Sequence, residues 1–445
     1  MKNVLIFVLM LFLIAGVMWA KGQQEVDKPV KFAIVADPVA NMAPGFADWE
    51  GTLFADNIIK WFEEDTGIKI ELRLYPDSVD NTAKSLDMDL ASGDPSDVIF
   101  SYGGRVNKFA NADFGVNLYE ALPKEHIEQY TESSLKQFER DGKLYALPMP
   151  GWAVCLVVNV DLFEQAGVAD VLPADDDPDR SWTIAEFDRA VKAISALGDD
   201  YYGYYLIAKE CGGDYWVLNM LGGFGADLYK NGKVGLNTPE GLAGMEYIHY
   251  LHENGYVPYG ASGLFDGDKN VAFLSGKIGV EGGVAGNVLT GEYAARDGMV
   301  DEPFKCVIME YPHVEGVDGV GPCFGPDLAM VIDNNDPEQL EKALLFLEYF
   351  SSARIQTIIQ TYFLKFSPLK TAELPKGDGE IVMAMQQLVG IIQERGIYDM
   401  GIGFPCYDEL RQIWLAVMQG MLINKITPQE AILEFERRGN KLIAE

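Results

Sequence analysis

The sequence lacks the short motifs that mark several common kinds of enzyme and metal protein. It has four histidines and five cysteines among 445 residues, and no two cysteines have the C-x-x-C spacing of a zinc ribbon or a redox pair. A G-x-S-x-G nucleophile elbow and an H-E-x-x-H zinc pair are also missing. We therefore predict no catalytic residue, no metal site and no cofactor.

The sequence does not determine whether the five cysteines form disulfides. Cys155 and Cys306 lie within apolar runs, where the expected role is that of a small core residue. In an exported protein one or two disulfides could form, and the odd number of cysteines leaves at least one thiol.

Positive charge is scarce as well. Lys and Arg total 35 against 67 Asp and Glu, which gives a net charge of −32. Nucleic-acid backbones and anionic membrane surfaces repel such a chain, so neither is expected as a partner. The apolar fraction of 48% is that of a globular protein, and the length indicates two or three domains.

The N-terminal segment has the order of parts of a secretory signal. Lys2 precedes an almost wholly apolar run over 4–17, and Ala20 is a small residue at the expected cleavage point. The run is shorter than the ~20 residues of a membrane span. We predict a signal peptide over 1–20 and a location in the periplasm or at the cell exterior. No cysteine lies near the cleavage point to carry a lipid anchor.

Strand and helix patterns alternate along the first part of the chain. Strands are predicted at 30–36, 70–74 and 98–100, and a helix follows the first strand because Phe54, Ile58 and Phe62 share one helical face. Such alternation indicates an α/β fold with a mostly parallel sheet. Ligands of parallel sheets bind beyond the carboxyl ends of the strands, which selects the loops after Ala36 and Phe100.

Three later helices have clear start signals. Thr238, Asp336 and Thr427 each stand before a proline, which suits an N-cap followed by the first helical turn. Helices are therefore predicted at about 239–254, 337–351 and 428–443. Strands are predicted at 306–309 and 328–332.

A stiff joint is predicted within residues 141–187. Pro148, Pro150 and Gly151 interrupt an extended segment, which should not continue there as a ladder-paired strand. A buried strand over 153–158 follows, and Thr183 and Glu186 have capping-box spacing. The pattern suggests two lobes with a ligand cleft between them.

Aromatic side chains lie in the predicted loops and beside this joint. Core packing is the ordinary role of tryptophan, whereas a flat ring in a cleft suits the apolar face of a sugar. The rings in question are Trp49, Tyr102, Trp152, Trp216 and Tyr407.

The chain resembles the extracellular solute-binding proteins of ABC transporters, specifically the carbohydrate-binding group that includes maltose-binding protein. The resemblance spans nearly the whole chain after residue 20, and it depends on the number and order of individually weak segments. They are WFEEDTGIKI (61–70), ASGDPSDVIF (91–100), residues 141–187, FLSGKI (273–278) and TPQEA (427–431).

The resemblance implies a two-lobed periplasmic-binding-protein fold. Each lobe is expected to be a mostly parallel sheet flanked by helices, and three crossings are expected near 147–151, 306–311 and 333–336. The implied boundaries are 28–148 with 309–335 for the N-lobe, and 149–308 with 336–445 for the C-lobe.

The resemblance also implies the ligand-binding loops. Asp48 and Trp49 join the candidates because they lie in the loop after the first strand. Val284 and Gly104 depart from the residue types expected there, so the ligand is not expected to resemble maltose. The remaining candidates are Ser101, Tyr102, Arg105, Trp152, Asp214, Trp216, Glu281, Tyr407 and Arg411.

The implied function is capture of a sugar or oligosaccharide by a monomer whose lobes close on it, followed by delivery to an ABC permease. A cationic ligand such as a polyamine is the first alternative, with Asp37, Asp48 and Glu50 as sources of charge. A secreted glycoside hydrolase is the second, and it needs two carboxylates about 5–10 Å apart.

Overall fold

The structure is a computed structural model, and it describes 28–35, 54–75, 87–102, 109, 114–136, 138–209, 213–264, 266–284, 304–363, 365–371 and 380–445. The strands are β1 (Val30–Val35), β2 (Ile70–Leu74), β3 (Val98–Tyr102), β4 (Glu139–Arg140), β5 (Lys143–Leu144), β6 (Leu147–Asn159), β7 (Tyr202–Tyr205), β8 (Tyr229–Lys230), β9 (Lys233–Val234), β10 (Ile278–Val284), β11 (Cys306–Met309) and β12 (Cys323–Val331).

Helices flank these strands. They are α1 (Phe54–Thr66), α2 (Leu118–Ala121), α3 (Lys124–Ile127), α4 (Glu132–Lys136), α5 (Val160–Gln165), α6 (Ile184–Ser195), α7 (Asp214–Gly223), α8 (Pro239–Glu253), α9 (Asp266–Leu274), α10 (Pro337–Phe350), α11 (Ala353–Phe363), α12 (Glu380–Arg395), α13 (Tyr407–Leu422) and α14 (Pro428–Ile443).

The predicted helix starts are confirmed. Thr238, Asp336 and Thr427 accept backbone N–H groups at the starts of α8, α10 and α14, and each helix has proline in its first turn. Thr183 and Glu186 form the predicted capping box of α6. These signals are local, because a capping side chain satisfies N–H groups within three residues of itself.

One sheet of eight strands runs through the molecule in the order β2-β1-β3-β12-β6-β10-β7, and β11 also pairs with β6. Three pairings in it are parallel and four antiparallel, so the expectation of mostly parallel sheets is wrong in this respect. The reason is that β12 runs antiparallel to β3 and β6, and β6 in turn runs antiparallel to β10 and β11. β1, β2 and β3 form one half of the sheet, and β7, β10 and β11 lie in the other.

Strand β6 continues through the prolines at which it was expected to end. It is one strand of thirteen residues, and Pro148 lies opposite Leu328 in its ladder with β12. Gly151 exchanges two hydrogen bonds with Phe366, at 3.0 and 2.7 Å, so the chain stays paired where the prolines lack N–H donors. The predicted first crossing therefore lies within a continuous strand.

A second connection between the two halves is β12. Its register against β6 shifts between Gly325 and Asp327. Cys323 at its start pairs with Val154 of β6, whereas Val331 at its end pairs with Val98 of β3. The structure does not place a crossing at 306–311. Strand β11 pairs with residues 156–159 of β6, which follow the prolines and Gly151, so β11 lies wholly in the second half of the sheet.

The crossing predicted at 333–336 also disagrees with the packing. Helix α10 follows at once, and its Phe346 and Phe350 contact Phe32 of β1 at ring-centroid distances of 4.8 and 5.1 Å. Lys370 still bonds the N-lobe residue Gln129, whereas α12 packs on β11 through Gln387. The lobe boundaries stay a prediction, and this packing places α10 against β1 and α12 against β11.

The thiols of Cys155, Cys323 and Cys406 are free, and Cys211 lies outside the described residues. Cys155 is buried as expected, whereas Cys306 is only half-buried. Every helix among the described residues is too short or too polar to cross a membrane. The predicted signal peptide over 1–20 falls outside the described part of the chain.

Candidate functional site

Several predicted site residues lie outside the described residues, namely Asp48, Trp49 and Arg105. The same holds for Asp37 and Glu50 of the cationic alternative and for Gly104. The backbone of Tyr102 ends β3, but its side chain is not among those described.

Trp152 lies on β6 just past the joint, and it is half-buried. Gly325 is its partner across the ladder with β12. A Cβ atom at position 325 would stand 2.2 Å from Cζ2 of the indole, so the ring lies directly against the Gly325 backbone. Only glycine leaves room for the indole in this position.

Tyr215 supports the same indole from helix α7. Its ring centroid is 4.4 Å from that of Trp152, at an interplanar angle of 73°, which is an edge-to-face contact. Tyr215 is not among the residues selected from the sequence, although it stands between the candidates Asp214 and Trp216. Its place in the sequence between these two candidates could have identified it.

Asp214 and Arg411 form a buried ion pair behind Tyr215. Arg411 donates from Nε and Nη2 to the two carboxylate oxygens at 2.6 and 3.0 Å. Asp214 is 4% exposed and Arg411 is 9% exposed. Burial raises the pKa of the Asp214 carboxyl, and the Arg411 guanidinium opposes that rise. The pair joins the start of α7 to the first turns of α13.

Tyr407 completes this group at the start of α13. Its hydroxyl donates to the Tyr215 hydroxyl at 3.1 Å. The Arg411 guanidinium lies 4.6 Å from the Tyr215 ring centroid and 5.5 Å from that of Tyr407. The structure therefore brings four predicted residues, Trp152, Asp214, Tyr407 and Arg411, into one cluster around Tyr215. We call these five residues the ring cluster.

Trp216 and Glu281 are not part of the ring cluster. Both are almost fully buried, and a Cβ atom at Gly282 would stand 2.5 Å from the Trp216 indole. Trp216 therefore covers strand β10 from α7. Ser101 is also fully buried, and its ladder partner on β12 is Leu328. Ligand contact by these three residues stays a prediction.

A second ion pair at the joint was missed from the sequence. Asp327, at the register shift of β12, lies 3.6 Å from the Lys365 ammonium, and both residues are buried. Lys365 precedes Phe366, the residue that pairs with Gly151. A lysine and an aspartate 38 positions apart give no local signal, because their meeting depends on the sheet pairing.

Other carboxylates near the sheet are also paired with cations. Glu310 lies 3.1 Å from the Arg395 guanidinium, and burial raises the pKa of its carboxyl. In the part of the chain that the structure describes, no group of three or more His, Cys, Asp or Glu side chains could hold a metal ion. The acidic run over 175–179 surrounds Arg180, which donates to the carbonyl oxygens of Ala174 and Asp177.

A model of the bacterial extracellular solute-binding protein family matches residues 40–357. The chain belongs to this family. Its members are described as solute-binding proteins outside the cell, and the structure has their two-lobed fold.

Curated relatives match part of the chain. A Brucella abortus protein named as a binding protein is 27% identical over 229 residues, which are 51% of this chain and 53% of that one. The galactooligosaccharide-binding protein of Bacillus subtilis is 24% identical over 241 residues, 49% of this chain and 51% of that one. The match thus spans about half the length of these relatives.

Solved structures are similar over almost the whole chain. MalE3 of T. maritima, bound to maltose, is 18% identical with a TM-score of 0.73 and covers 93% of this chain and 99% of its own. An ABC transporter solute-binding protein of Thermotoga lettingae, bound to α-D-tagatose, is 20% identical with a TM-score of 0.70 and covers 94% and 100%. At these identities the likeness shows the fold.

Proposed function

We propose that this protein captures a sugar or oligosaccharide between its two lobes and delivers it to an ABC permease. The half-buried indole of Trp152 carries the proposal, because it follows Gly151 on β6 and is backed by the other four residues of the ring cluster. A rigid aromatic surface suits the apolar face of a pyranose, and nearby polar groups suit its hydroxyls.

The charges around the joint favour a sugar over a polyamine. A cationic ligand needs carboxylates that can face it, whereas Asp214 and Asp327 are already paired with Arg411 and Lys365. Replacing either partner by a ligand cation would leave a buried protein charge without compensation, which is costly.

The relatives agree with a sugar ligand. The Bacillus subtilis protein is named for galactooligosaccharides, and the similar structures hold maltose and tagatose. The chain spans about half of its curated relatives, and the structures are under 25% identical, so the ligand class is part of the proposal.

We infer that the lobes close by bending of the two continuous strands that connect them, β6 near its prolines and β12 near Gly325. β6 and β12 pass between the halves of the sheet, and the bulge at 325–327 and the prolines of β6 mark where backbone angles can change. Ligand binding favours the closed arrangement because only that arrangement contacts it from both lobes. We expect the closed form to dock on the permease, with no chemistry on the ligand. Export through cleavage after Ala20 is part of the same proposal.

Thermal unfolding with a ligand panel tests this function. A ligand that binds only the folded state raises the melting temperature, and ligand at a hundred times Kd stabilises by about 2.7 kcal/mol. We expect a shift with at least one sugar and none with putrescine or spermidine. If only the polyamines raise the melting temperature, the ligand is a cation and not a sugar.

A further inference from the structure

The position of the Trp152 ring depends on groups on both of its sides. Gly325 leaves the space that the indole occupies, with three indole atoms 2.2 to 2.5 Å from where a Cβ would stand. Tyr215 meets the indole edge-to-face at 4.4 Å between ring centroids. The indole is therefore held between a strand backbone and a second ring.

The Asp214–Arg411 pair holds Tyr215 in turn. Asp214 precedes Tyr215 in α7 and accepts its backbone N–H at 2.8 Å, while the Arg411 guanidinium stacks 4.6 Å from the Tyr215 ring centroid. The Tyr407 hydroxyl bonds the Tyr215 hydroxyl at 3.1 Å. Three contacts from two helices thus set the direction of one ring.

Arg411 is poorly placed to serve a sugar hydroxyl directly. It is 9% exposed, and its Nε and one Nη already donate to Asp214. A planar guanidinium in a two-bonded pair is rigid, which suits a supporting role.

We propose that Gly325 and Tyr215 determine which sugars the site prefers, by fixing the orientation of the Trp152 ring, and that Asp214 and Arg411 are a positioning pair that holds Tyr215. The proposal rests on the proposed function and deepens it. Stacking on a sugar depends on ring angle, and a tilted indole favours a different pyranose face. The residues behind the indole therefore change the preference among sugars as well as the affinity.

A double-mutant cycle tests the proposal. Kd is measured by calorimetry for two sugars selected from the thermal panel, with wild type, Gly325→Ala, Trp152→Ala and the double variant. We expect Gly325→Ala to weaken binding about tenfold and to change the ratio of the two Kd values, because the indole must leave its place. In the Trp152→Ala background the same substitution should change neither Kd by more than about twofold.

A second cycle covers the case in which Gly325→Ala does not fold. Tyr215→Leu removes the supporting ring without adding a group against the β12 backbone, and it should change the ratio of the two Kd values. Gly390→Ala is the matched control for Gly325→Ala, because no atom lies within 4 Å of a Cβ placed there. Circular dichroism confirms folding of every variant.

The outcomes distinguish failure of the proposed function, which is sugar binding, from failure of the inference about Gly325 and Tyr215. If wild type binds no sugar, the proposed function and this inference fall together. If wild type binds sugar but Gly325→Ala weakens binding by the same factor with Trp152 present and with Trp152→Ala, the inference alone is overturned. A Kd ratio that stays constant in folded Gly325→Ala and Tyr215→Leu also overturns it, because a purely structural role would lower stability without changing preference.

Discussion

Asp214 and Arg411 lie 197 positions apart in the sequence, and their side chains meet in two hydrogen bonds of 2.6 and 3.0 Å. The pair joins α7 to α13 directly behind the rings at the joint. Removing one partner would leave a buried charge unpaired, which costs several kcal/mol. The same contact therefore supports both the packing of α7 against α13 and the proposed binding surface.

Trp152→Ala should weaken sugar binding by about 2 kcal/mol, a loss of roughly 30-fold, as expected for a central aromatic contact. Unfolding is not expected, because the indole is half-buried and the neighbouring Tyr215 remains. Calorimetric titration measures the effect, with Trp152→Phe as the control that keeps a ring. An unchanged Kd in folded Trp152→Ala would remove this residue from the site.

Gly151→Ala should destabilise the protein by about 1–3 kcal/mol or more, because added volume is forced into packed atoms. Its Cβ would stand 2.4 Å from the Gly325 carbonyl oxygen and from Cα of Pro326, all at the joint. Gly390→Ala in α12 meets no atom within 4 Å and should instead stabilise by up to about 1 kcal/mol. Calorimetric unfolding of both variants measures the difference. Equal melting temperatures would contradict the close packing of Gly151 against Gly325 and Pro326.

Arg140→Met should weaken binding of every ligand by the same factor. Arg140 belongs to the β4–β5 hairpin in the predicted N-lobe, and its Nη2 donates to the carbonyl oxygen of Gly403 before α13, in the predicted C-lobe. A contact between lobes changes the fraction of closed protein, and apparent Kd scales inversely with the fraction of binding-competent protein for all ligands alike. Kd values for two sugars provide the measurement.

The control for Arg140→Met is Arg189→Met, which removes an exposed pair with Asp170 on the C-lobe surface. It should leave both Kd values unchanged. Tighter binding by Arg140→Met would mean that the contact stabilises the open arrangement. A changed Kd ratio would instead make Arg140 a ligand contact.

Stability should fall between pH 7 and 5 partly because of His126. Burial lowers the pKa of its ring below 6.5, and Glu348 opposes this shift. Ser351 donates its hydroxyl hydrogen to the Leu347 carbonyl oxygen, so the His126 Nε2–H donates to Ser351 at 2.8 Å. As pH falls through 6.5, the unfolded chain binds this proton before the folded protein does, so unfolding becomes easier as pH falls toward the folded pKa.

His126→Gln tests this pH dependence. One proton contributes at most about 1.4 kcal/mol per pH unit. We expect the variant to lose part of the wild-type decline in free energy of unfolding between pH 7 and 5. Urea titrations at several pH values measure it, and parallel curves for the two proteins would show that His126 has no such role.

Local chemistry made much of the fold predictable. The starts of α8, α10 and α14 follow from Thr238, Asp336 and Thr427, whose caps act within one turn. The first strand and helix follow from short-range hydrophobic periodicity. The family resemblance supplied the two lobes, and it selected Asp214 and Arg411 without predicting that they pair with each other.

Long-range pairing explains what could not be predicted from the sequence. The prolines of β6 predicted a break, but Phe366, more than 200 residues later, pairs with Gly151 and the strand continues. The crossing along β12 depends on its register with β3 and β6, which no local pattern specifies. Tyr215 was missed because its role depends on Trp152 and Arg411, which lie on other elements.

Calorimetric titration of wild-type protein with the sugar that raises its melting temperature is the most direct test of binding without chemistry. We predict discrete heats that return to baseline and saturate at one sugar per protein. Heat flow that continues after each injection would indicate turnover and a glycoside hydrolase. Saturable heat with a polyamine and none with any sugar would contradict the proposed ligand.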